Sequence, residues 1–196
     1  MDNLTAFGLA AFALIASPGP NTLSLAATGA AFGARAGLAY LFGLVAGMVL
    51  VMLVTASGLL GLLLALPGLA PVLTAVVAGY FLWLAFRIAT APPLGEAAGQ
   101  RRPPSFAAGT GLSLINPKAY AAMAALFSGF VLVDGRLLLD TAAKIVLLAV
   151  IITLVNVAWL CAGSSLRRLF RWPLASRLLN VAFALLLLAS LVLVLR

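Results

Sequence analysis

Two short runs of polar and conformationally unusual residues interrupt apolar stretches of this chain: Ser17-Pro18-Gly19-Pro20-Asn21 and Asn116-Pro117-Lys118. A further polar residue, Asn156, lies in a later apolar stretch. In each run a helix-capping residue directly precedes a proline, Ser17 before Pro18 and Asn116 before Pro117, which is how a helix begins. A helix start presents orphan N–H groups and a partial positive charge, so the chemistry on offer is reversible capture of an anion such as a carboxylate. Each proline also clashes with the carbonyl four residues earlier and has no N–H to give it, which frees the oxygens of Leu14, Ala16 and Ser113. Lys118 adds a fixed cation. Covalent chemistry has no comparable support. With no His and only four Asp and Glu, no metal site or Ser/His/Asp triad is recognisable, and the single Cys161 excludes an intramolecular disulfide or a CxxC redox pair.

The elements that carry these residues follow from composition. Of the 196 residues 65% are hydrophobic and 8% charged, too few charges to cover a water-facing surface. A bilayer-spanning helix takes about 20 apolar residues. The apolar runs 4–27, 38–66, 70–89, 106–133, 141–163 and 174–195 therefore predict an all-α integral membrane protein of six transmembrane helices, the first and fourth broken at proline. The Pro-rich stretch of about 92–105 divides a single domain, 1–196, into repeat 1 (about 1–91) and repeat 2 (about 106–196). An odd number of spans per half makes the halves antiparallel, and the two breaks occupy matching places in them. That is the pattern of an inverted-repeat transporter with its site near the midplane. Two ordinary proline kinks are the plainer alternative.

Twelve Lys and Arg against four acids would point to nucleic acid in a soluble chain, but here the basic residues flank apolar runs and read as topology determinants, with no nucleic-acid partner. Alternating connectors put Arg35, Arg87, Arg101, Arg102, Arg167, Arg168, Arg171 and Arg177 on one side, which the positive-inside rule makes cytoplasmic. Arg136, Lys144 and Arg196 fall on the other, so both termini face outward. The run after Asp2 lacks a basic n-region, and no cleaved signal peptide is expected. Gly29, Gly33 and Gly37, and then Gly43 and Gly47, are spaced four apart, which lets helix backbones approach closely in lipid.

Lys118 is the one basic residue far from both ends of its run. A lysine at a helix centre costs about 2.5–3.5 kcal/mol on insertion scales, so it must face the bundle interior or a wet cavity, and it is a binding-site candidate by default. The alternative is a lysine that snorkels or bonds the freed carbonyls. Asn156 reads equally as interhelical glue or as a ligand contact. Arg87, Asp140 and Lys144 lie near run ends, where solvent or headgroups account for them. The candidate substrate-binding set is Ser17, Pro18, Gly19, Pro20, Asn21, Asn116, Pro117, Lys118 and Asn156, with no metal site.

At these residues the sequence resembles the LysE/RhtB family of amino-acid exporters. Ser17-Pro18-Gly19-Pro20-Asn21-Thr22 is similar to that family's first-helix signature, and Phe106, Gly109 and Asn116-Pro117-Lys118-Ala119 to its fourth-helix signature. Gly79-Tyr80-Phe81-Leu82-Trp83-Leu84 is similar to the third-helix pattern, and the basic segment from Ser164 to Phe170 to the one after the fifth helix. The resemblance implies a multi-pass exporter in a bacterial inner membrane, surrounded by lipid, with no organic cofactor and coupled to protons. Where basic-amino-acid exporters of the family carry acids, this chain has Met48 and Ala122, so it looks closer to the homoserine/threonine branch and its expected cargo is a small neutral amino acid or a derivative. An exporter of basic amino acids and a non-transporting assembly subunit are the alternatives. Homo-oligomerisation stays open.

Overall fold

The computed structural model describes residues 2–58, 69–90, 102–165 and 173–194. Every regular element among them is a helix: α1 (Asp2–Ala16), α2 (Pro20–Phe32), α3 (Leu38–Ala56), α4 (Leu69–Ala89), α5 (Phe106–Leu114), α6 (Pro117–Gly129), α7 (Leu137–Ser165) and α8 (Pro173–Val194). Leu and Ala dominate them, residues that lose little freedom in a helix. The helices stop where the sequence stops them. Gly33 takes φ 87° after α2, a left-handed region that a side chain would disfavour, and its N–H closes the last turn on Gly29 O. Ser105 caps α5, its hydroxyl accepting from Ala108 N at 3.2 Å.

Among the described residues α3 and α7 are each long and apolar enough to cross a membrane, and α1 with α2, bent by 58° at the break, adds a third if the pair forms one broken span and not a re-entrant loop. Large apolar side chains point outward on them, among them Phe12, Leu53, Val146 and Leu154. Such a surface needs lipid against it. Arg101, Arg167, Arg168 and Arg171, on which the expected cytoplasmic side rests, and most of the linker and of the second run's end lie outside the described residues.

The closest packing joins the two halves of the sequence. α2 lies on α7 and α3 on α5. The expected close approach of glycines is found at both contacts. A Cβ on Gly29 would run into the carbonyl of Leu160, and one on Gly163 into that of Ala26; one on Gly43 would strike the carbonyl of Phe106. These are backbone-to-backbone contacts. α1 and α6 are held differently, by side chains, in a cluster of Phe7, Met48, Met52, Met123, Leu126 and Leu148.

Asp140 and Lys144 depart from the sequence reading. Neither is solvated: both are buried and pair at 2.7 Å one helical turn apart on α7. Asp140 Oδ1 accepts from Leu132 N at 2.5 Å and Val133 N at 3.1 Å, and Lys144 Nζ donates to the carbonyls of Phe127 and Phe130. The chain between α6 and α7 folds back over the start of α7 and has no ladder for its own backbone groups, so this ion pair supplies their partners.

Candidate functional site

The second break forms as its sequence predicts. Asn116 is the N-cap of α6, in extended conformation, and its side-chain oxygen accepts from Lys118 N at 3.1 Å, with Pro117 in the first turn. The first break forms two residues later than Ser17-Pro18 predicts. Gly19 is the N-cap of α2, extended at φ −173° and ψ −179°, and Pro20 opens the helix. The reason is steric. A residue before proline is driven out of the helical region, and with two prolines the later one decides, so Gly19 cannot join the helix that Pro20 begins. Thr22 completes the cap from inside the helix, its Oγ1 accepting from Gly19 N at 2.9 Å.

Each carbonyl that the prolines free has a partner. Leu14 O accepts from Ser17 Oγ at 2.8 Å, Ala16 O from Trp159 Nε1 at 3.3 Å, and Ser113 O from Asn116 N at 3.2 Å. The carbonyls of Ser17 and Pro18, further into the break, accept from Lys118. Its ammonium crosses from the start of α6 to the end of α1 and lies 2.6 Å from Ser17 O, 2.7 Å from Ser17 Oγ and 3.0 Å from Pro18 O. Three acceptors meet three N–H donors, so the ammonium is fully bonded. The lysine tip rests on Gly19, where a Cβ would stand 2.8 Å from its Cδ and 3.0 Å from its Nζ.

The asparagines of the two breaks bond each other. Asn116 Nδ2 donates to Asn21 Oδ1 at 2.9 Å, Asn21 Nδ2 to Ser113 Oγ at 2.9 Å, and Ser113 Oγ to Leu44 O at 2.9 Å. All three side chains are buried. The relay runs in one direction, each group giving one hydrogen and taking one, and ends on a backbone oxygen of α3.

Beside this junction lies a cavity. Its polar wall is Gly19, Asn21, Thr22, Asn116, Lys118 and Asn156; its apolar wall comes from Leu14 and Ile15 of α1, Met48 of α3, Ala119, Ala122 and Met123 of α6, and Ile152 of α7. About 40 Å³ is free for a water-sized sphere, within about 420 Å³ counted out to the open mouth. The cavity admits a few waters as it stands and must widen for a larger guest. Asn156, 3% exposed, lines it with Nδ2 unpartnered. Nδ2 bonds no protein atom, so it is available to an acceptor atom of a guest. At the start of α2 the N–H groups of Asn21 and Thr22 precede the first intrahelical bond, which Leu23 N makes to Gly19 O at 2.9 Å. Among the described residues no carboxylate lines the cavity, and the one charge they bring to it is the positive one of Lys118.

Of the residues singled out from sequence, Gly19, Asn21, Asn116, Lys118 and Asn156 line one cavity. Ser17 and Pro18 act one step back, through the oxygens that hold Lys118, and Pro20 and Pro117 act by opening α2 and α6. Sequence reasoning passed over Ser113, whose hydroxyl links the Asn pair to α3. Its place four residues before Pro117 marks it as the residue whose carbonyl is freed, but nothing local shows where its hydroxyl goes. Thr22 and Met123 were also missed as wall residues.

Comparison with known proteins adds the following. The LysE type translocator family matches residues 12–195. Proteins named cysteine/O-acetylserine efflux protein, from Escherichia coli strain K12, Escherichia coli O6:K15:H31 and Shigella flexneri serotype 5b, are each 40% identical over 110 residues, which cover 56% of this chain and 55% of theirs. The chain thus spans about half the length of the curated relatives it matches. No solved structure matches it.

Proposed function

Since this chain belongs to the LysE type translocator family, whose members are transporters and not enzymes, we propose that it exports a small amino acid with an uncharged side chain, or a close derivative, from the bacterial cytoplasm. The observation that carries this reading is the cavity at the two breaks, which offers N–H donors to a carboxylate beside the cation of Lys118 and, among the described residues, holds no acid. The carboxylate lies against Asn156 Nδ2 and the first N–H groups of α2. The side chain lies on the opposite wall, against Met48, Ala119, Ala122, Met123 and Ile152, where a second cation has no countercharge. Soft, adaptable methionines suit a thiol or a short ester, in line with the cysteine and O-acetylserine named for the relatives. Export of basic amino acids is disfavoured by the missing acid, and a purely structural subunit by an unpartnered amide in a cavity.

The reading includes six spans in two inverted repeats in the inner membrane, with the C-terminus outside, and coupling to the proton motive force. The repeats are supported by the two half-helix starts meeting through Asn21 and Asn116, the topology by the basic residues, and the coupling by family membership alone. The test is efflux of labelled cysteine, O-acetylserine, threonine and lysine from loaded vesicles with and without the protein. Faster efflux of neutral substrates than of lysine is expected; equal or faster lysine efflux refutes the selectivity, and no efflux of any amino acid refutes the function.

A further inference from the structure

The oxygens that hold Lys118 form a site in their own right. Ser17 O, Ser17 Oγ and Pro18 O converge on one point at 2.6, 2.7 and 3.0 Å, a tripod of acceptors that matches the three hydrogens of a primary ammonium. They also lie at the C-terminal end of α1, where the helix dipole favours a cation. The group now in the tripod is tethered: it belongs to this chain and reaches in along the face of Gly19, which has no Cβ to obstruct it. Donors for a carboxylate, Asn156 Nδ2 and the start of α2, lie in the same cavity wall as Lys118.

An amino acid brings both a carboxylate and an –NH3+. No acid among the described residues of the cavity receives that ammonium, and the oxygens suited to it are occupied by another one of the same shape. We propose that the tripod of Ser17 and Pro18 is the subsite for the amino group of the transported amino acid, and that Lys118 fills it when the carrier is empty and leaves it for the carboxylate when the carrier is loaded. The exchange makes and breaks no covalent bond. One ammonium sits in the tripod in both states, and Lys118 is never left without acceptors, first the backbone and then the carboxylate. A zwitterion adds no net charge, so the cavity needs no acid to accept it. This inference rests on the amino-acid export reading above.

The subsite is tested with ethylammonium, the amine fragment alone, on protein in lipid nanodiscs. Lys118→Ala empties the tripod, so ethylammonium should raise its unfolding midpoint saturably, while tetramethylammonium, without N–H groups, and ethanol should not. Wild type should respond at least about 10-fold more weakly, because its own lysine competes. Ser17→Ala on the Lys118→Ala background removes one acceptor from a charged donor and should weaken ethylammonium by at least about 10-fold. The amino acid identified by the vesicle assay should displace ethylammonium. A Lys118→Ala protein indifferent to ethylammonium, or a wild type that responds as strongly, overturns the subsite. Failure of the amino acid to displace ethylammonium overturns the exchange. If Lys118→Ala does not fold, wild-type vesicles suffice: the desamino form of the same amino acid should inhibit efflux at least about 10-fold more weakly than the parent, and equal inhibition refutes the proposal. Wild-type vesicles that export no amino acid, with ethylammonium still stabilising Lys118→Ala, would refute the export reading while leaving an ammonium site.

Discussion

Asn156→Leu separates a ligand contact from structural glue by the signs of two effects. The two side chains are similar in volume, and the substitution removes an amide whose Nδ2 is buried without a partner. Leaving such a donor unsatisfied costs about 1–3 kcal/mol in soluble proteins, and the smaller polar energies measured between membrane helices argue for the lower end, about 1 kcal/mol. The empty carrier should therefore gain at most about 1 kcal/mol, a rise of up to roughly 2–4 °C in its unfolding midpoint for a domain of this size. If Nδ2 donates to the substrate carboxylate, its loss removes a hydrogen bond to a charged group, about 1.5–3 kcal/mol, and raises the KM of efflux by roughly 10- to 150-fold. The assay pairs a thermal melt in detergent with efflux over a range of internal substrate concentrations. A lower midpoint with unchanged efflux would make Asn156 a packing residue and refute the argument.

Lys118→Ala should abolish most efflux while still inserting, since it removes a costly charge, and Lys118→Arg should be intermediate because a planar fork fits a three-oxygen tripod poorly; initial rates from vesicles check both. Pro20→Ala and Pro117→Ala should slow efflux without altering charge, by allowing α2 and α6 to extend backwards across the breaks, and wild-type rates in both would show that the breaks are incidental. Asp140→Ala should lower stability by about 1–3 kcal/mol by stranding the N–H groups of Leu132 and Val133, with no large change in substrate affinity, as a melt and a KM measurement will show. With Cys161 replaced, single cysteines near Arg102 should be labelled only from the cytoplasm and one after Val194 only from outside; the reverse pattern refutes the topology.

How much of this was legible in sequence depended on how local the signal was. Proline acts on its own turn, so both breaks, the three freed carbonyls and the N-cap of α6 could be read directly from Pro18, Pro20 and Pro117. The start of α2 was misplaced because two prolines in succession each qualify as a first-turn residue, and only the restriction each places on its predecessor chooses between them. Lys118 stood out by its cost, yet its bonding to Ser17 and Pro18 is a contact across 100 positions or more that no pattern near residue 118 encodes. The alternative in which it bonds backbone oxygens describes its bonding in this structure. Ser113 and the pairing of Asn21 with Asn116 were hidden in the same way, since hydroxyls and amides are common in membrane helices and acquire meaning only from their partners. Asp140 and Lys144 misled because position near a run's end implies solvent only if no chain folds over it, and the 130–136 segment does.

The contrast between glycine contacts and side-chain contacts divides the molecule mechanically. Where α2 meets α7 and α3 meets α5, backbone touches backbone, and sliding there would drive carbonyls into atoms that cannot yield. α1 and α6 rest instead on Phe, Leu and Met, side chains that can change rotamer and find equivalent contacts a few tenths of an ångström away. Both arms meet breaks whose freed oxygens are held, in place of a helical ladder, by the side chains of Lys118, Trp159 and Ser17 at the first and by the backbone N–H of Asn116 at the second. A bend at the first break therefore strains side-chain bonds, and one at the second a single short turn, while the ladders of the flanking helices stay intact; the breaks are thus suited to act as bearings and the glycine-backed pairs as the frame in which they turn.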